Sequence, residues 1–154
     1  MTTVFLGLGS NRGDRKKNIL NAIKLLKKNG QKVLRVSLLH ETKPYGYKKQ
    51  KKFLNAAVKL KTKLLPLELF ELCKKIEKEI GRTKSFRWGP REIDIDILFF
   101  GKKVIKSKKL TIPHRDLHNR NFVLTPLVEI APNFAHPVVK KRVSEIYSVL
   151  QGEK

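Results

Sequence analysis

The sequence predicts an α+β domain with a ferredoxin-like β-α-β-β-α-β core and a C-terminal extension that ends in a short helix over residues 144–150. Three observations predict this class. Four segments have the apolar content of strands, two segments with helical apolar spacing lie between them, and glycine or proline stands at helix boundaries. Their order is that of the split β-α-β pattern. With 154 residues the chain has the usual length of one domain, so residues 1–154 are predicted to form a single domain.

The first half of the chain contains three of the predicted elements. Residues 4–10 form an apolar run thinned by glycines, which predicts a buried strand. Apolar residues at helical spacing over 19–26 predict a helix that ends near Gly30. Residues 33–39 have the composition of a second strand. The polar, lysine-rich segment 41–52 is the best candidate for a mobile lid, with an ordinary solvated loop as the alternative.

The second half completes the predicted core. Residues 53–60 resemble a third strand, and Pro66 suits the first turn of a helix that Gly81 ends. Residues 93–100 are the fourth strand, and 101–103 are predicted to form a hairpin turn that continues this strand into the next residues. The apolar stripe of the second helix consists of Leu65, Leu69, Leu72, Cys73, Ile76 and Ile80.

The composition excludes several classes of protein. The net charge of +22 comes mainly from lysines spread over several elements, so we expect weak, salt-sensitive association with polyanions and no specific nucleic-acid partner. No apolar run approaches the roughly 20 residues that span a bilayer, and no membrane partner is expected. The single cysteine, Cys73, is predicted to be a core residue. These features are typical of a reduced, cytoplasmic protein.

Two aspartates interrupt the fourth predicted strand. Asp94 and Asp96 are two residues apart, so we expect their side chains on one face of the strand, with Ile93, Ile95 and Ile97 on the other. Neighbouring like charges repel unless a cation lies between them or one carboxyl is protonated. Such a pair is also typical of the solvated face of a half-exposed antiparallel strand, and that alternative stays open on the pair alone.

Basic residues shortly before the aspartates favour a binding site over a solvated face. They are Arg82, Lys84, Arg87 and Arg91. Mg²⁺ usually binds one or two carboxylates together with substrate phosphates. The arginine guanidinium fits phosphate oxygens with paired N–H groups. The segment therefore predicts a site for Mg²⁺ and a polyphosphate.

Several separated motifs point to one known family. The segment at 87–98 reads RWGPREIDIDIL, and shorter motifs lie on both sides of it. These are GLGSN at 7–11, FLNAAV at 53–58, LTIPH at 110–114 and NRNFVL at 119–124. Together they resemble the 6-hydroxymethyl-7,8-dihydropterin pyrophosphokinase family of folate synthesis over about residues 2–150, and several motifs in order are more specific than any one of them.

The resemblance implies an activity, cofactors and partners. The family transfers the diphosphate of ATP to the hydroxymethyl group of the pterin and releases AMP. The resemblance therefore implies an ATP-dependent diphosphotransferase whose two Mg²⁺ ions are held by Asp94 and Asp96. ATP is the co-substrate, the pterin alcohol is the acceptor, and a monomer is expected.

The resemblance also assigns roles residue by residue. The catalytic set that it implies is Arg82, Arg91, Asp94 and Asp96. The implied ATP-binding set is Phe70, Lys74, Glu77, Arg82, Lys84, Arg87, Trp88, Arg91, Ile97, Lys109, Thr111, His114, Arg115 and Arg120. The implied pterin-binding set is Thr42, Pro44, Tyr45, Phe53, Asn55, Trp88, Asp94, Asp96 and Phe122. Without the resemblance, core packing is the better interpretation of Phe53, Trp88 and Phe122.

Four positions depart from the family pattern, and two other functions remain open. Lys43, Phe53, Lys84 and Arg115 stand where proline, tyrosine, arginine and an aromatic residue are frequent. None removes a metal ligand, so we expect an active enzyme. A basic β-α-β-β-α-β sheet is also compatible with an RNA-binding module, although the aromatic-rich strands of that class are missing. An inactive relic of the fold is the third possibility.

Overall fold

The computed structural model describes residues 1–42, 51–81, 92–117 and 120–152. The chain forms, in order, β1 (Thr2–Ser10), α1 (Arg15–Lys28), β2 (Lys32–Val36), β3 (His40–Thr42), β4 (Phe53–Thr62), α2 (Pro66–Ile80), β5 (Asp94–Phe100), β6 (Ile105–Lys106), β7 (Thr111–Ile112), α3 (Asn121–Ile130) and α4 (Val143–Leu150). Among the described helices, none is long and apolar enough to cross a membrane.

The main sheet has the predicted ferredoxin-like order. Its strands lie in the order β2, β4, β1, β5, and every described pairing in it is antiparallel. The helix α1 connects β1 to β2, and α2 connects β4 to β5, so each helix crosses over the sheet between strands. The α+β class and the ferredoxin-like core predicted from the sequence are therefore confirmed.

The sheet separates two apolar clusters. On the first face, α1 and α2 cover alternate residues of the strands, including Leu6, Leu8 and Val58. On the second face, α3 and α4 cover a different set that includes Phe5 and Ala57. Because side chains alternate along a strand, each central strand contributes to both clusters. The C-terminal helices α3 and α4, which follow the β-α-β-β-α-β core, therefore form the layer that covers the second face of the sheet.

A bulge in the β1–β5 pair sets which face each residue of β5 occupies. Phe5 lies opposite Phe99, whereas the next residue, Leu6, lies opposite Ile97, so Leu98 is the extra residue. Leu98 and Phe99 consequently both pack on the second face. Before the bulge the alternation is regular, which leaves the three isoleucines on the first face and Asp94 and Asp96 on the second.

Three local features differ from the sequence predictions. Residues 40–42 form β3, which pairs with β4, whereas the sequence predicted a loop from 41 onward. The predicted hairpin continuing from β5 is wrong, because Ile105 pairs with Ile112 and the hairpin is β6 with β7. The segment 121–130 is the helix α3, to which the sequence assigned no element. The predicted loop residues 43–50 lie outside the described part of the chain.

Cys73 is part of the core, as predicted. Its side chain is buried in the cluster between α2 and the sheet. Burial, reinforced by the neighbouring Glu77 carboxylate, raises the pKa of the thiol to about 12. The thiol is therefore protonated at neutral pH and is not a nucleophile.

Glu129 joins the end of α3 to the segment between β2 and β3. Its carboxylate accepts a hydrogen bond from the Leu38 N–H at 2.7 Å and lies 2.8 Å from the His40 ring nitrogen. The backbone hydrogen bond and the neighbouring His40 lower the pKa of Glu129 below its ordinary value of 4.5. These contacts stabilise the ionised form and fix the start of β3.

Glu129→Gln is expected to lower the free energy of unfolding by about 0.5–1 kcal/mol at pH 7, the usual range for a solvent-accessible charge contact. A carboxyl whose pKa is lowered by folding contributes stability above its unfolded pKa and loses it as pH falls through the folded pKa. Urea unfolding of both proteins should therefore differ at pH 7 and converge as pH falls below 4.5 through the lowered folded pKa of Glu129. Glu71→Gln, at an exposed position of α2, is the control. A gap that stays the same as pH falls would contradict this account.

Candidate active site

The two aspartates of β5 lie over an open part of the sheet. Asp94 is opposite Gly9 and Asp96 is opposite Gly7 on the neighbouring strand β1. A Cβ on Gly9 would lie only 3.0 Å from the Asn55 Oδ1 and 3.4 Å from the Phe53 ring. A Cβ on Gly7 would instead meet the Leu98 side chain at 3.5 Å, so it is the missing side chain of Gly9 that leaves room beside Asn55 for a ligand. Two glycines within an apolar strand are the sequence signal from which this part of the site could have been predicted.

Among the described residues, burial and neighbouring carboxylates outweigh the cations that act on Asp96, which are Lys74 and Arg120. Burial, followed by the Asp94 and Glu77 carboxylates, raises the pKa of Asp96 from 3.8 to about 8. About a third of the Asp96 side chain (35%) is still open to solvent. Within the described residues, no group of three or more acidic, histidine or cysteine side chains could hold a metal ion. Two hard carboxylates without a third protein ligand fit Mg²⁺ that takes its other ligands from substrate and water.

His114 stands beside Asp96. Its backbone N–H donates to the Leu98 carbonyl at 3.1 Å, which holds the residue against the end of β5. The ring Nε2 lies 3.8 Å from Asp96 Oδ2, and the buried Nδ1 has no hydrogen-bond partner among the described residues. Burial and the Arg120 guanidinium lower the pKa of the ring. A neutral imidazole with an unused nitrogen is therefore available to donate to, or accept from, a bound ligand.

Arg120 adds positive charge at the same side of the domain. Its Nη2 pairs with Asp116 at 3.1 Å, and its guanidinium lies 5.4 Å from the centre of the Phe122 ring. The side chain is largely shielded, with 13% exposed. A cation held in this way is preorganised for an anionic ligand.

The predicted pterin-binding residues come from three neighbouring elements. Thr42 on β3 lies opposite Phe53 on β4, and the Asn55 side-chain amide donates to the Thr42 hydroxyl. Asn55 is buried and shares the open face with Gly9. The helix α3, which carries Phe122 in its first turn, packs across β3 and β4. The structure thus brings Thr42, Phe53, Asn55 and Phe122, four of the residues predicted to bind the pterin, to the face that carries the aspartates.

The predicted nucleotide-binding residues of α2 lie along the edge of the sheet formed by β5. Glu77 accepts the Ile95 N–H at 2.7 Å and pairs with Lys74 at 3.1 Å. Lys74 also lies 5.4 Å from the centre of the Phe70 ring. Burial and the Asp94 carboxylate raise the pKa of Glu77. This group approaches the aspartates from the opposite side of β5 to the pterin-binding residues.

Four other predicted nucleotide-binding residues have different environments. Ile97 is buried in the first-face cluster that also includes Ile112. Thr111 is half-buried and lies opposite Lys106 in the β6–β7 hairpin. Lys109 and Arg115 are exposed. The remaining predicted site residues lie outside the described part of the chain: Pro44, Tyr45, Arg82, Lys84, Arg87, Trp88 and Arg91.

Comparison with known families identifies the chain. Residues 5–132 match the model of the 7,8-dihydro-6-hydroxymethylpterin-pyrophosphokinase (HPPK) family. The chain belongs to the HPPK family. The matched region extends from β1 into the connection after α3 and includes every described residue of the candidate site. Membership confirms the family and the enzyme class, a pyrophosphokinase, that the sequence motifs predicted.

Two bacterial HPPK relatives match most of the chain. The chain is 49% identical over 145 residues to the 2-amino-4-hydroxy-6-hydroxymethyldihydropteridine pyrophosphokinase of Aquifex aeolicus, covering 94% of this chain and 90% of the relative. The enzyme of the same name from Bacillus subtilis is 47% identical over 127 residues, covering 82% of this chain and 76% of the relative.

Longer relatives contain the HPPK region as one part. The folic acid synthesis protein fol1 of Pneumocystis carinii is 44% identical, but the chain spans only 20% of its length. Among solved structures, Plasmodium falciparum HPPK-DHPS with pteroate has a TM-score of 0.77 at 19% identity, and the match covers 96% of this chain and 42% of that chain. At this level of identity the structural match supports the fold alone.

Proposed function

We propose that this chain transfers the diphosphate of ATP to the hydroxymethyl oxygen of 6-hydroxymethyl-7,8-dihydropterin and releases AMP. One observation carries the proposal. In a chain of the HPPK family, Asp94 and Asp96 lie on the same face of the sheet as Asn55, and Asp96 stands beside His114. A paired-carboxylate site next to a ring-binding site suits phosphoryl chemistry on a heterocyclic alcohol.

Asp94 and Asp96 are proposed to hold two Mg²⁺ ions. The raised pKa of Asp96, caused by burial and then by Asp94 and Glu77, supports a site that would be stabilised by a bound cation. Bound Mg²⁺ would neutralise phosphate charge and increase the acidity of the attacking hydroxyl.

The chemistry exchanges one oxygen–phosphorus bond for another. The hydroxymethyl oxygen bonds to the β-phosphorus, the bond between that phosphorus and the oxygen bridging to the α-phosphate breaks, and AMP leaves. The hydroxyl proton is released as the new oxygen–phosphorus bond forms; bound Mg²⁺ would make this hydroxyl more acidic, and Asp96 is proposed to assist the release. The basic segment with Arg82 and Arg91 is proposed to bind the phosphates, and Lys84, Arg87 and Trp88 to assist it.

His114 and Arg120 are proposed to bind the phosphates from the other side. The neutral His114 ring can donate one N–H without adding charge, because its pKa is lowered by burial and by Arg120. Arg120 is oriented by its ion pair with Asp116 and contributes a fixed positive charge. Preorganised donors of this kind stabilise charge that develops on the transferring group.

The pterin is proposed to stack between Phe53 and Phe122 with its polar edge on Asn55. A flat heterocycle needs apolar faces above and below it and matched donors and acceptors at its edge. Asn55 offers both a donor and an acceptor, and its contact with Thr42 orients the amide. Pro44 and Tyr45 are proposed to complete this pocket.

The adenosine of ATP is proposed to lie along the β5 edge. Phe70, Lys74 and Glu77 on α2 approach that edge, which Glu77 contacts through the Ile95 N–H. The remaining residues proposed to contact the nucleotide are Ile97, Lys109, Thr111 and Arg115. We also propose that this enzyme is a monomeric, single-domain, cytoplasmic protein that acts on two small molecules.

Product analysis tests the proposed reaction. Purified protein is incubated with ATP, Mg²⁺ and the pterin alcohol, and the nucleotides and pterins are separated and quantified. We expect equal amounts of AMP and pterin diphosphate, and neither product when Mg²⁺ is removed with a chelator. ADP with a pterin monophosphate would contradict diphosphate transfer, and no product from folded protein would contradict an active enzyme.

A further inference from the structure

The short strand β3 depends on contacts from outside the sheet. In the part of the chain that the structure describes, its three residues pair with β4 alone: Thr42 lies opposite Phe53, Glu41 opposite Leu54 and His40 opposite Asn55. A three-residue strand paired on one side has few backbone hydrogen bonds to fix it. Leu54 and Asn55 are also paired with β1, so the position of Thr42, more than that of β4, relies on side chains contributed by other elements.

Arg15, the first residue of α1, contacts both strands of this pair. Its Nη1 donates to the Lys52 carbonyl at 2.9 Å, immediately before β4. Its Nη2 lies 2.9 Å from Glu41 Oε2, in the middle of β3. Asn11 makes a parallel contact, donating its side-chain amide to the Lys51 carbonyl at 3.1 Å. One guanidinium thus ties the two chain segments together where β3 ends and β4 begins.

Hydrogen bonds fix the start of α1, where Arg15 lies. Asp14 caps α1 by accepting the Lys17 N–H at 3.1 Å, so the helix begins at a fixed residue. In the same turn, the Asn18 side-chain amide donates to the Arg12 carbonyl at 2.9 Å. Because the helix start is fixed, the Arg15 side chain connects β3 and β4 to the rigid part of the domain.

We propose that Arg15 is a positioning residue for the pterin half of the active site. It acts through Glu41 and the Lys52 carbonyl, which hold Thr42 beside Asn55 and Phe53, and it makes no contact with substrate itself. The proposal rests on the proposed function for its substrate. It predicts selective weakening of pterin binding, because the residues proposed to bind adenosine lie on α2 and around 109–115, away from this contact.

The kinetic test compares Arg15→Ala with Lys16→Ala. Lys16 is the next residue of α1, is exposed, and carries the same charge, so it controls for the loss of one cation at the helix start. Arg15→Ala should raise KM for the pterin alcohol about tenfold, the size expected from losing charged hydrogen bonds, and leave KM for ATP within about twofold. Arg15→Lys should have an intermediate effect, because lysine keeps the charge but lacks the planar guanidinium group that donates to two acceptors at once.

A double-substitution cycle and hydrogen exchange complete the test. Glu41→Gln should have a smaller effect in Arg15→Ala than in the wild type, because the Arg15–Glu41 pair is already lost and only the longer Lys52–Glu41 contact of 3.9 Å remains. Amide hydrogen exchange at residues 40–42 and 53–55 should speed up in Arg15→Ala and not in Lys16→Ala. Equal KM values for the pterin in both alanine variants, with unchanged exchange, would overturn the proposal. If the wild-type protein makes no product, the proposed function fails, and the exchange result alone decides whether Arg15 positions β3.

Discussion

Asp96→Asn is expected to abolish diphosphate transfer and, without Mg²⁺, to make the folded protein more stable at neutral pH. Loss of one of two carboxylates at the proposed metal site should reduce kcat by about a thousandfold or more, since metal-assisted charge neutralisation carries most of such reactions. The stability gain follows from the raised pKa of Asp96, about 8, which shows that the folded protein disfavours its ionised form. The ionised Asp96 that the proposed metal site requires therefore lowers the stability of the folded protein.

The pH dependence has a defined sign. A carboxyl with a folded pKa above its unfolded value of 3.8 lowers stability progressively as pH rises from about 4 towards 8, because the unfolded chain releases the proton more easily. The gap between Asp96→Asn and wild type should open over that range and reach about 1 kcal/mol, since the side chain is partly open to water that screens its charges. Thermal unfolding in a chelator across this pH range measures the gap.

Asp14→Asn is the matched control for the aspartate substitution. Asp14 lies outside the proposed metal site, and asparagine caps a helix as well as aspartate does, so the start of α1 and Arg15 should keep their positions and activity should stay near wild type. Near-wild-type turnover in both Asp94→Ala and Asp96→Ala would exclude this pair as the metal site.

Asn55→Leu is expected to weaken pterin binding about a hundredfold while ATP binding changes little. Asn55 is buried on the open face and is the only residue of the described pterin set that offers both a side-chain N–H donor and a carbonyl acceptor. Leucine has a similar size, so the pterin ring would still meet a surface of the right shape. The polar edge of the ring would then be buried without hydrogen-bond partners, which weakens binding. Pterin fluorescence titration in the presence of an unreactive ATP analogue measures the change.

Two further substitutions make the Asn55 result specific. Asn55→Asp keeps the shape but removes the amide donors, and it should weaken binding nearly as much as leucine does. Asn21→Leu, on α1 at the opposite face of the sheet, applies the same change away from the site and should leave binding unchanged. Unchanged pterin affinity in Asn55→Leu would contradict the assignment of the ring to this face.

The sequence predicted the aspartate pair because its signal is local. Residues two apart in a strand share a face wherever the strand lies, and the structure places Asp94 and Asp96 together on the second face of the sheet. The alternative of a merely solvated face loses support, because burial and neighbouring carboxylates raise the pKa of Asp96. The ferredoxin-like order was also predictable, since it follows from the order of strongly patterned segments.

Features set by contacts distant in sequence were not predictable. The strand β3 exists through its register on β4, and the bulge opposite Leu98 is visible only once β1 and β5 are paired. The helix α3 lacks a side-chain N-cap, contains Pro126 and is apolar on most sides, so it has neither a start signal nor a clear amphipathic period. The contact of Arg15 with Glu41 likewise joins elements that no sequence motif connects.

A crystal structure with Mg²⁺, the pterin alcohol and an ATP analogue whose α,β bridge cannot be cleaved tests the central claim most directly. The account predicts metal density on the carboxylates of Asp94 and Asp96, with the pterin ring stacked between Phe53 and Phe122 and its edge on Asn55. Metal bound elsewhere, or a pterin ring away from the face between Gly9 and α3, would contradict it.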